Sequence, residues 1–246
     1  MRISRFFINS PLAPAQHIIL PANLVNYIAN VLRLQAGDDI ILFNGSGGEF
    51  NATLSEVKKR SVSAVINQFI DKNIESALKI HLFQGISRSE RMDFTIQKAV
   101  ELGVHSITPV FTQRSNSSKL NGKRLEKKCQ HWQGIALSAC EQSGRTQLVT
   151  VNSPIHVKQI AGETADINLL LAPDGQENLN DLAHLKPASV NVFIGPEGGL
   201  SDTEIELAMN YQYRKLRLGP RILRTETAGL STLSILQFLW GDLGER

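Results

Sequence analysis

The sequence predicts a mixed α/β protein with two domains, a small β-rich one followed by a larger one built on a mostly parallel sheet. Three observations support this class: the chain has 246 residues, its first part contains short β-rich runs, and strand and helix patterns alternate over the remainder. A chain of this length can bury two unequal cores, and such alternation is typical of parallel sheets covered by helices. We place the domains at residues 1–72 and 73–246.

The first domain is predicted to begin with a helix and to continue as strands. Apolar residues recur at helical spacing over residues 22–32, and Gly37 is positioned to end that helix. Three β-rich runs follow, with the sequences DDIILFNG, GEFNATLSEV and SVSAVINQFI. Turn-forming and charged residues separate them, which favours a small β domain.

The second domain is predicted to start with a strand, LKIHLFQGI, followed directly by a helix. Ser87 and Glu90 have the spacing of a capping box, in which each side chain bonds the backbone N–H of the other. The next strand is HSITPVF, and a helix over about residues 122–142 follows it. This order predicts helices on both faces of the sheet.

Three apolar runs in the last third of the chain end in the same way. In NLLLAPDG, VNVFIGPEGG and LRLGPRILRTETA, a strand pattern is followed by a small residue and then proline. Proline keeps its predecessor out of helical geometry, so we expect Ala172, Gly195 and Gly219 to stay extended. Ligands of open α/β sheets bind outside the carboxyl ends of the strands, so the three turns predict one pocket.

The residues around these turns favour a ligand other than a nucleotide held by its phosphates. The segment GPEGG has neither the lysine and hydroxyl residue of a P-loop nor the spacing of a dinucleotide-binding motif. Asp174, Glu197 and Glu226 are expected to repel a triphosphate and to tolerate a positive group such as a sulfonium. Ser201 and Glu204 form a second predicted capping box, which starts a helix.

Composition excludes a membrane protein and indicates a cytoplasmic one. No apolar run approaches the length that crosses a bilayer, and the N-terminus lacks the core of a signal peptide. Cys129 and Cys140 are predicted to be reduced thiols on a helix, and we expect no metal site. Net charge is +1 for residues 1–75, +6 for 76–165 and −4 for 166–246. A polyanion would therefore meet the middle third.

Five segments, in order, give the chain a specific resemblance. VLRLQAGD, KAVELGVHSITPV, ACEQSGR, IGPEGGLSDTE and LGPRILRTETA together resemble the RsmE family of bacterial small-subunit (16S) ribosomal RNA uridine methyltransferases, within the SPOUT superfamily. The match covers nearly the whole chain. One departure is Tyr27, which stands where many members carry histidine, so no role of that histidine carries over.

This resemblance implies a fold, a cofactor and an assembly. It implies an N-terminal PUA-like β-barrel that binds RNA, and a C-terminal α/β domain with a trefoil knot. It also implies S-adenosylmethionine as cofactor and a homodimer that shares its active sites. Carried over, the cofactor-binding residues are Leu171, Ala172, Gly195, Pro196, Glu197, Gly198, Gly199, Leu218, Gly219, Ile222, Leu223, Thr227 and Ala228.

The implied product is a uridine methylated at its imide nitrogen, and the target must be unpaired or flipped out. A guanidinium could stabilise charge on the flanking carbonyls, and we favour Arg224, with Glu226 as proton acceptor or as a residue that orients Arg224. A second polar group contains Glu141, Gln142 and Arg145, of which Arg145 is the further catalytic candidate. Each of these residues also has a purely structural interpretation. Candidate RNA contacts are Arg5, Arg33, Arg88, Arg91, Lys98, Arg114 and Gln142.

Two alternatives remain open from the sequence. A methyltransferase of the same superfamily that acts on another RNA, such as the ribose of transfer RNA, would be expected to carry a final motif rich in asparagine and serine in place of RILRTETA. A non-catalytic RNA-binding module would leave the three turns ending in proline without a purpose. A titration with S-adenosylmethionine separates the second alternative from an enzyme.

Overall fold

The computed structural model describes residues 3–115, 120–162 and 164–244, and the chain divides into two compact units. The first unit comprises Met1–Glu75 and Cys140–Leu148, and the second comprises Ser76–Ala139 and Val149–Arg246. The first unit therefore includes a segment that follows the first half of the second one in the chain.

The first unit is built on a five-stranded, mostly antiparallel sheet. Its strands are β1 (Ser4–Phe7), β2 (His17–Ile19), β3 (Asp39–Phe43), β4 (Glu49–Lys58) and β5 (Ser61–Ile70). They lie in the order β1-β3-β4-β5-β2, and β1 pairs with β3 in parallel. The three β-rich runs are confirmed as β3, β4 and β5, whereas the short edge strands β1 and β2 were not predicted.

The predicted helix over 22–32 is present but irregular. It consists of α1 (Ala22–Asn26) and a π-helical turn, Tyr27–Val31. Its end differs from the prediction, because Arg33 takes the left-handed conformation at φ 55° and the Leu34 N–H bonds to the Ile28 carbonyl at 3.0 Å. The helix is therefore already closed before Gly37, and the prediction that Gly37 ends it was wrong.

The second unit contains a seven-stranded sheet in which every pair of strands is parallel. Its strands are β6 (Lys79–Gly85), β7 (Ser106–Phe111), β8 (Thr150–Val151), β9 (Ile155–His156), β10 (Ile167–Leu171), β11 (Ser189–Ile194) and β12 (Arg214–Leu216). The order is β12-β10-β11-β6-β7-β8, and β9 also pairs with β7. The predicted mostly parallel sheet is confirmed, and the carboxyl ends of its strands share one edge.

Five helices accompany this sheet along the chain. They are α2 (Ser89–Glu101), α3 (Gly122–Ser143), α4 (Leu179–Leu182), α5 (Asp202–Asn210) and α6 (Thr225–Trp240). Helix α2 contacts α6, and α5 contacts a 3-10 turn at Val157–Gly162. The prediction for α3 is confirmed. Cys129 is half-buried and Cys140 buried, and both lie on this helix without forming a disulfide, as predicted.

The start of α2 differs from the sequence prediction. Arg88 occupies the N-cap position, and no side chain caps the helix. The Ser87 hydroxyl donates instead to the carbonyl of Gly85 at 3.2 Å, because the chain is still turning away from β6 at this residue. The capping box of Ser87 and Glu90 was therefore wrong.

The sheet of the second unit is buried on both faces. Phe83 and Phe193 belong to a core cluster that includes Ala208 and Tyr213, from α5 and the segment after it. Side chains alternate along strands, so the fully buried Leu82 faces the opposite side. Among the described residues, no helix is both long and apolar enough to cross a bilayer.

Candidate cofactor and active site

A cavity of about 510 Å³ opens at the carboxyl edge of the parallel sheet. Its lining includes Leu171, Ile194 and Leu216, the last residues of β10, β11 and β12. These strands are neighbours in the sheet, so the three loops that leave them converge on one space. The cavity lies at the edge where the sequence predicted a pocket.

Most of the residues assigned to the cofactor from resemblance line this cavity. Those in the lining are Leu171, Ala172, Gly195, Pro196, Glu197, Gly199, Leu218, Gly219, Ile222, Leu223 and Ala228. Gly198 and Thr227 are not part of it. Lining residues that the sequence did not assign to a site are Pro173, Ile194, Leu200, Ile205, Leu216, Arg217, Pro220, Arg221 and Thr225.

The loop after β11 forms a tight turn and then a capped helix. The Gly199 N–H donates to the Pro196 carbonyl at 2.9 Å, and Gly199 has φ 70°, where a side chain would be strained. The Ser201 hydroxyl accepts from the Glu204 N–H at 3.3 Å, and the Glu204 carboxylate accepts from the Ser201 N–H at 2.9 Å. This confirms the second predicted capping box, which fixes where the loop ends.

The loop after β12 has a different form from the one predicted. The strand stops at Leu216, and Gly219 has φ 71°, so it is left-handed and not extended. The Arg217 Nε–H bonds to the Gly219 carbonyl at 2.9 Å and stabilises the turn. A proline disfavours helical geometry in its predecessor, but glycine also has access to positive φ. The expectation that Gly219 stays extended was therefore wrong.

Two glycines outside the predicted set are required by the close approach of backbone segments. A Cβ at Gly85, the last residue of β6, would lie 2.6 Å from the Pro196 nitrogen and 2.7 Å from its Cδ. A Cβ at Gly175 would lie 2.7 Å from the carbonyl carbon of Leu216. Each glycine thus lets a cavity-lining loop pass over a neighbouring segment. The sequence feature that could have indicated these two positions is a glycine at the end of an apolar strand or in the turn that follows one.

Arg114, predicted to contact RNA, holds the loop after β11 in this structure. Its Nη1 donates to the carbonyls of Gly198 and Leu200 at 3.2 and 3.1 Å. A Cβ at Gly198 would lie 3.0 Å from the Arg114 Cβ. Gly198 therefore makes room for this arginine.

The charges at the cavity are mainly positive. Among the described residues that line it, the only acidic one is Glu197, and the basic ones are Arg91, Arg114, Arg217, Arg221 and Arg224. Asp174 is exposed and bonds to Lys215, which holds the pKa of the Asp174 carboxyl below its usual value. Of the three acidic residues expected near the turns, Glu197 belongs to the lining, whereas Asp174 and Glu226 do not.

Arg91 joins two acidic side chains beside the cavity. Its Nη1 lies 3.7 Å from Glu197 Oε1, and its Nε lies 4.0 Å from Glu226 Oε1. Glu197 also accepts from the Arg88 N–H at 2.9 Å. These contacts link the start of α2 to the loop after β11 and to the first turn of α6.

The two leading catalytic candidates lie at the start of α6. Arg224 is the N-cap residue, is exposed and lines the cavity, while Glu226 lies in the first helical turn. The Glu226 side chain is 15% exposed, and its Oε2 is buried without a hydrogen-bond partner in the described part of the chain. The structure thus places Arg224 in the lining of the cavity and, two residues further along α6, a buried carboxylate oxygen without a partner among the described residues.

The second polar group belongs to the first unit. Arg145 is buried and pairs with Glu75, with its Nε 2.8 Å from Glu75 Oε2, and its carbonyl accepts from Arg5 Nη2 at 2.9 Å. Glu141 accepts from the Phe7 N–H at 3.0 Å, and burial raises the pKa of the Glu141 carboxyl. Arg145 is not in the cavity lining, and its catalytic role stays a prediction.

The remaining RNA candidates fall into two groups. Arg5 pairs with the buried Glu49, and Lys98 pairs with Glu101 at 2.7 Å. Arg33, Arg88 and Gln142 are exposed. Exposure favours the second group as contacts for a polyanion.

Models of two protein families match the chain. A family described as RNA methyltransferase PUA domain matches residues 20–67, and one described as RNA methyltransferase domain matches residues 74–237.

Similar proteins match over nearly the full length. A protein of Buchnera aphidicola subsp. Schizaphis graminum, named ribosomal RNA small subunit methyltransferase E, is 37% identical over 98% of both chains. The protein of the same name from Bacillus subtilis is 32% identical over 87% of both.

Two solved structures are also similar over nearly the full length. A putative methyltransferase from Legionella pneumophila, solved with bound S-adenosylmethionine, is 39% identical with a TM-score of 0.94, covering 99% of this chain and all of its own. A ribosomal RNA small subunit methyltransferase E from Neisseria gonorrhoeae, also bound to S-adenosylmethionine, is 36% identical with a TM-score of 0.90, covering 98% of this chain and all of its own.

Proposed function

Because this chain belongs to the RsmE family of ribosomal RNA small subunit methyltransferases, we propose that it methylates the imide nitrogen of a uridine in 16S ribosomal RNA, with S-adenosylmethionine as methyl donor. The observation that carries this proposal is the cavity formed by three converging loops at the carboxyl ends of β10, β11 and β12. The coarser activity, methylation of small-subunit ribosomal RNA, follows from family membership. The uridine nitrogen and the residue roles belong to the proposal.

The residues of the cavity fit S-adenosylmethionine, which supplies a methyl group on a positively charged sulfur. Leu218, Ile222 and Leu223 offer apolar surface, and Ile222 is 86% exposed, as expected of a side chain that a ligand covers. The left-handed turns at Gly199 and Gly219 present peptide groups without side chains, which can bond the edge of a flat heterocycle. Glu197 supplies one negative charge.

The proposed chemistry requires that the N3–H proton of uridine leaves while charge develops on the two flanking carbonyl oxygens. Arg224 lines the cavity from the N-cap of α6, and its planar guanidinium can donate two N–H groups that converge on such an oxygen. Glu226 offers a buried oxygen without a partner in the described residues, so it can accept the proton or orient Arg224. Both residues are proposed as catalytic on this placement.

Mass mapping of 16S ribosomal RNA tests the function directly. RNA from cells that lack the protein should carry one methyl group fewer, at a uridine, and the purified protein with S-adenosylmethionine should restore that group to small subunits or to their RNA. Loss of a methyl group from transfer RNA, with 16S RNA unchanged, would instead identify a methyltransferase for another RNA.

RNA binding is proposed to use exposed cations that no carboxylate neutralises. Arg33 and Arg88 are of this kind, and the first two turns of α3 add Lys123, Arg124 and Lys127, which form no ion pair within the described part of the chain. The first turn of α3 contains no acidic residue. Cations at a helix N-terminus oppose the helix dipole, so their placement favours a role in binding an anion.

We expect the affinity for single-stranded target RNA to fall steeply with salt, and to do so less in a variant with Lys123, Arg124 and Lys127 replaced by glutamine. Each lost phosphate contact lowers the log–log slope by roughly 0.7, so the triple variant should lower it by about 2. Lys98→Gln is the control, because Lys98 already pairs with Glu101. A triple variant with the wild-type slope would remove this surface from the proposal.

We also propose that the protein is a homodimer. Helices α2 and α6 contact each other, and each carries an exposed aromatic ring, Phe94 at 46% and Phe238 at 65%. Two copies related by a two-fold axis could bury these rings against each other. A cytoplasmic location, domain boundaries at 1–72 and 73–246, and the trefoil knot are further parts of the proposal.

Sedimentation tests the assembly. The protein should sediment as a dimer at micromolar concentration, and Phe238→Glu should convert it to a monomer by placing an unpaired charge in the interface. Met209→Glu serves as the control, because Met209 is similarly exposed, at 50%, but lies on α5. A wild-type protein that is monomeric and fully active would refute a shared active site.

A further inference from the structure

A buried amide lies directly behind the cavity and has no place in the proposed chemistry. Gln84, next to last in β6, is fully buried. Its Nε2 lies 3.0 Å from Thr225 Oγ1, 3.1 Å from the Gly85 carbonyl and 3.5 Å from the Gly195 carbonyl. One side chain thus meets the end of β6, the loop after β11 and the start of α6.

The chemistry of the neighbours fixes the direction of these bonds. The Thr225 hydroxyl donates to the Gly195 carbonyl at 2.6 Å, so it must accept from Gln84. All three neighbours of the amide are therefore acceptors, and only its NH2 group can face them. The Gln84 Oε1 points away and is buried without a partner in the described residues. A buried acceptor without a partner is destabilising. That this cost is tolerated indicates that the hydrogen bonds donated by the Gln84 NH2 group are needed.

The residues that these bonds join belong to the cavity. Gly195 begins the loop after β11, and both Gly195 and Thr225 line the cavity. Thr225 directly follows Arg224, and Arg224 makes no capping bond with its own side chain. The hydrogen bond from the Thr225 hydroxyl to the Gly195 carbonyl therefore connects the start of α6 to the loop after β11.

We propose that Gln84 and Thr225 are positioning residues that hold the loop after β11 and the start of α6 in the geometry that binds S-adenosylmethionine. The inference rests on the proposal that this cavity is the cofactor site. Gln84 acts through Thr225, and Thr225 acts through the Gly195 carbonyl, so the three groups form a directed chain of hydrogen bonds. Without these hydrogen bonds, the loop after β11 and helix α6 can move apart.

The variant Thr225→Val tests these hydrogen bonds, because valine has nearly the shape of threonine but lacks its hydroxyl. We expect calorimetry to show about tenfold weaker binding of S-adenosylmethionine, since two buried groups lose their partner. Thr225→Ser retains a hydroxyl and should bind within about threefold of the wild type. Thr232→Val is the matched control: Thr232 is buried on the same helix, but its hydroxyl bonds to the Ala228 carbonyl within α6.

A merely structural role would lower the unfolding temperature of Thr225→Val and Thr232→Val alike and leave both affinities unchanged, which would overturn the proposal. Gln84→Glu is the second variant, because it keeps the size and places an acceptor against three acceptors. Gln84→Glu should weaken the binding of S-adenosylmethionine at least as much as Thr225→Val does. The double variant with both replacements should bind no more weakly than Gln84→Glu alone. Additive losses would show that the two residues act separately and would also overturn it.

Gly219→Val separates a failure of this inference from a failure of the proposed site. Gly219 lines the cavity at φ 71° and takes part in none of these hydrogen bonds, so its replacement should abolish binding if the cavity holds the cofactor. Lost binding in Gly219→Val with normal binding in Thr225→Val would refute only the positioning role. Normal binding in Gly219→Val would refute the cofactor site.

Discussion

Gly85→Ala is expected to abolish the binding of S-adenosylmethionine. The added Cβ would lie 2.6 Å from the Pro196 nitrogen and 2.9 Å from the Gly195 carbonyl carbon, and neither backbone atom can rotate away. Relief requires that the loop after β11, which lines the cavity, moves away from β6. Overpacking of this kind costs roughly 3 kcal/mol of stability, and a loop displaced by about 1 Å can weaken function a hundredfold. Calorimetry and thermal unfolding measure the two effects.

Gly134→Ala is the matched control and should change the stability in the opposite direction. Gly134 lies inside α3, where an added Cβ would meet nothing within 4 Å. Alanine in a helix interior is more favourable than glycine by roughly 0.5–1 kcal/mol, so this variant should be slightly more stable and bind normally. Gly85→Ala with the affinity and stability of the wild type would show that the close approach of β6 and Pro196 is not required.

Arg224→Lys should lower turnover about a hundredfold, ~3 kcal/mol of transition-state stabilisation, with little change in cofactor affinity. Lysine keeps the charge but loses the planar pair of donors that a uracil carbonyl can accept. Single-turnover methylation of the ribosomal substrate, at saturating S-adenosylmethionine, measures the chemical step. The exposure of Arg224 predicts that folding is unaffected.

Arg214→Lys makes the same chemical change outside the cavity, at a residue that pairs with Glu177, and should leave turnover near the wild type. If Arg224→Lys retains normal single-turnover methylation, Arg224 is not catalytic. Arg145 would then be the next arginine to replace, with its ion pair to Glu75 preserved in a charge-swapped variant for comparison.

The parallel sheet could be predicted because its strands carry a local signal. The buried strand β11 reads as an apolar run that stops at Gly195-Pro196, and β10 stops in the same way at Ala172-Pro173. Proline makes such an end visible in sequence. The cavity could be predicted from the rule that parallel strands end at a common edge, and most of the residues that the family resemblance assigned to the cofactor line it.

Features that depend on contacts between distant segments could not be predicted. Gly85 is required because Pro196 approaches it closely, and Gln84 acts through its hydrogen bond to Thr225. Neither glycine nor glutamine shows its partner in the sequence. The left-handed conformation of Gly219 was missed because glycine permits both signs of φ, and the turn selects one. Ser87 and Glu90 have the spacing of a cap, but the backbone leaving β6 places Arg88 at the helix start.

The return of Cys140–Leu148 to the first unit has a consequence for how the protein is made and inherited. Gln147 pairs with Ser46, and Arg145 holds Glu75, so the N-terminal unit is incomplete until the ribosome has synthesised these residues. By then the chain has also passed through β6, α2 and β7. We therefore expect that a fragment ending at residue 72 is unstable in the cell. Recombination could not move this unit into another gene as a contiguous cassette.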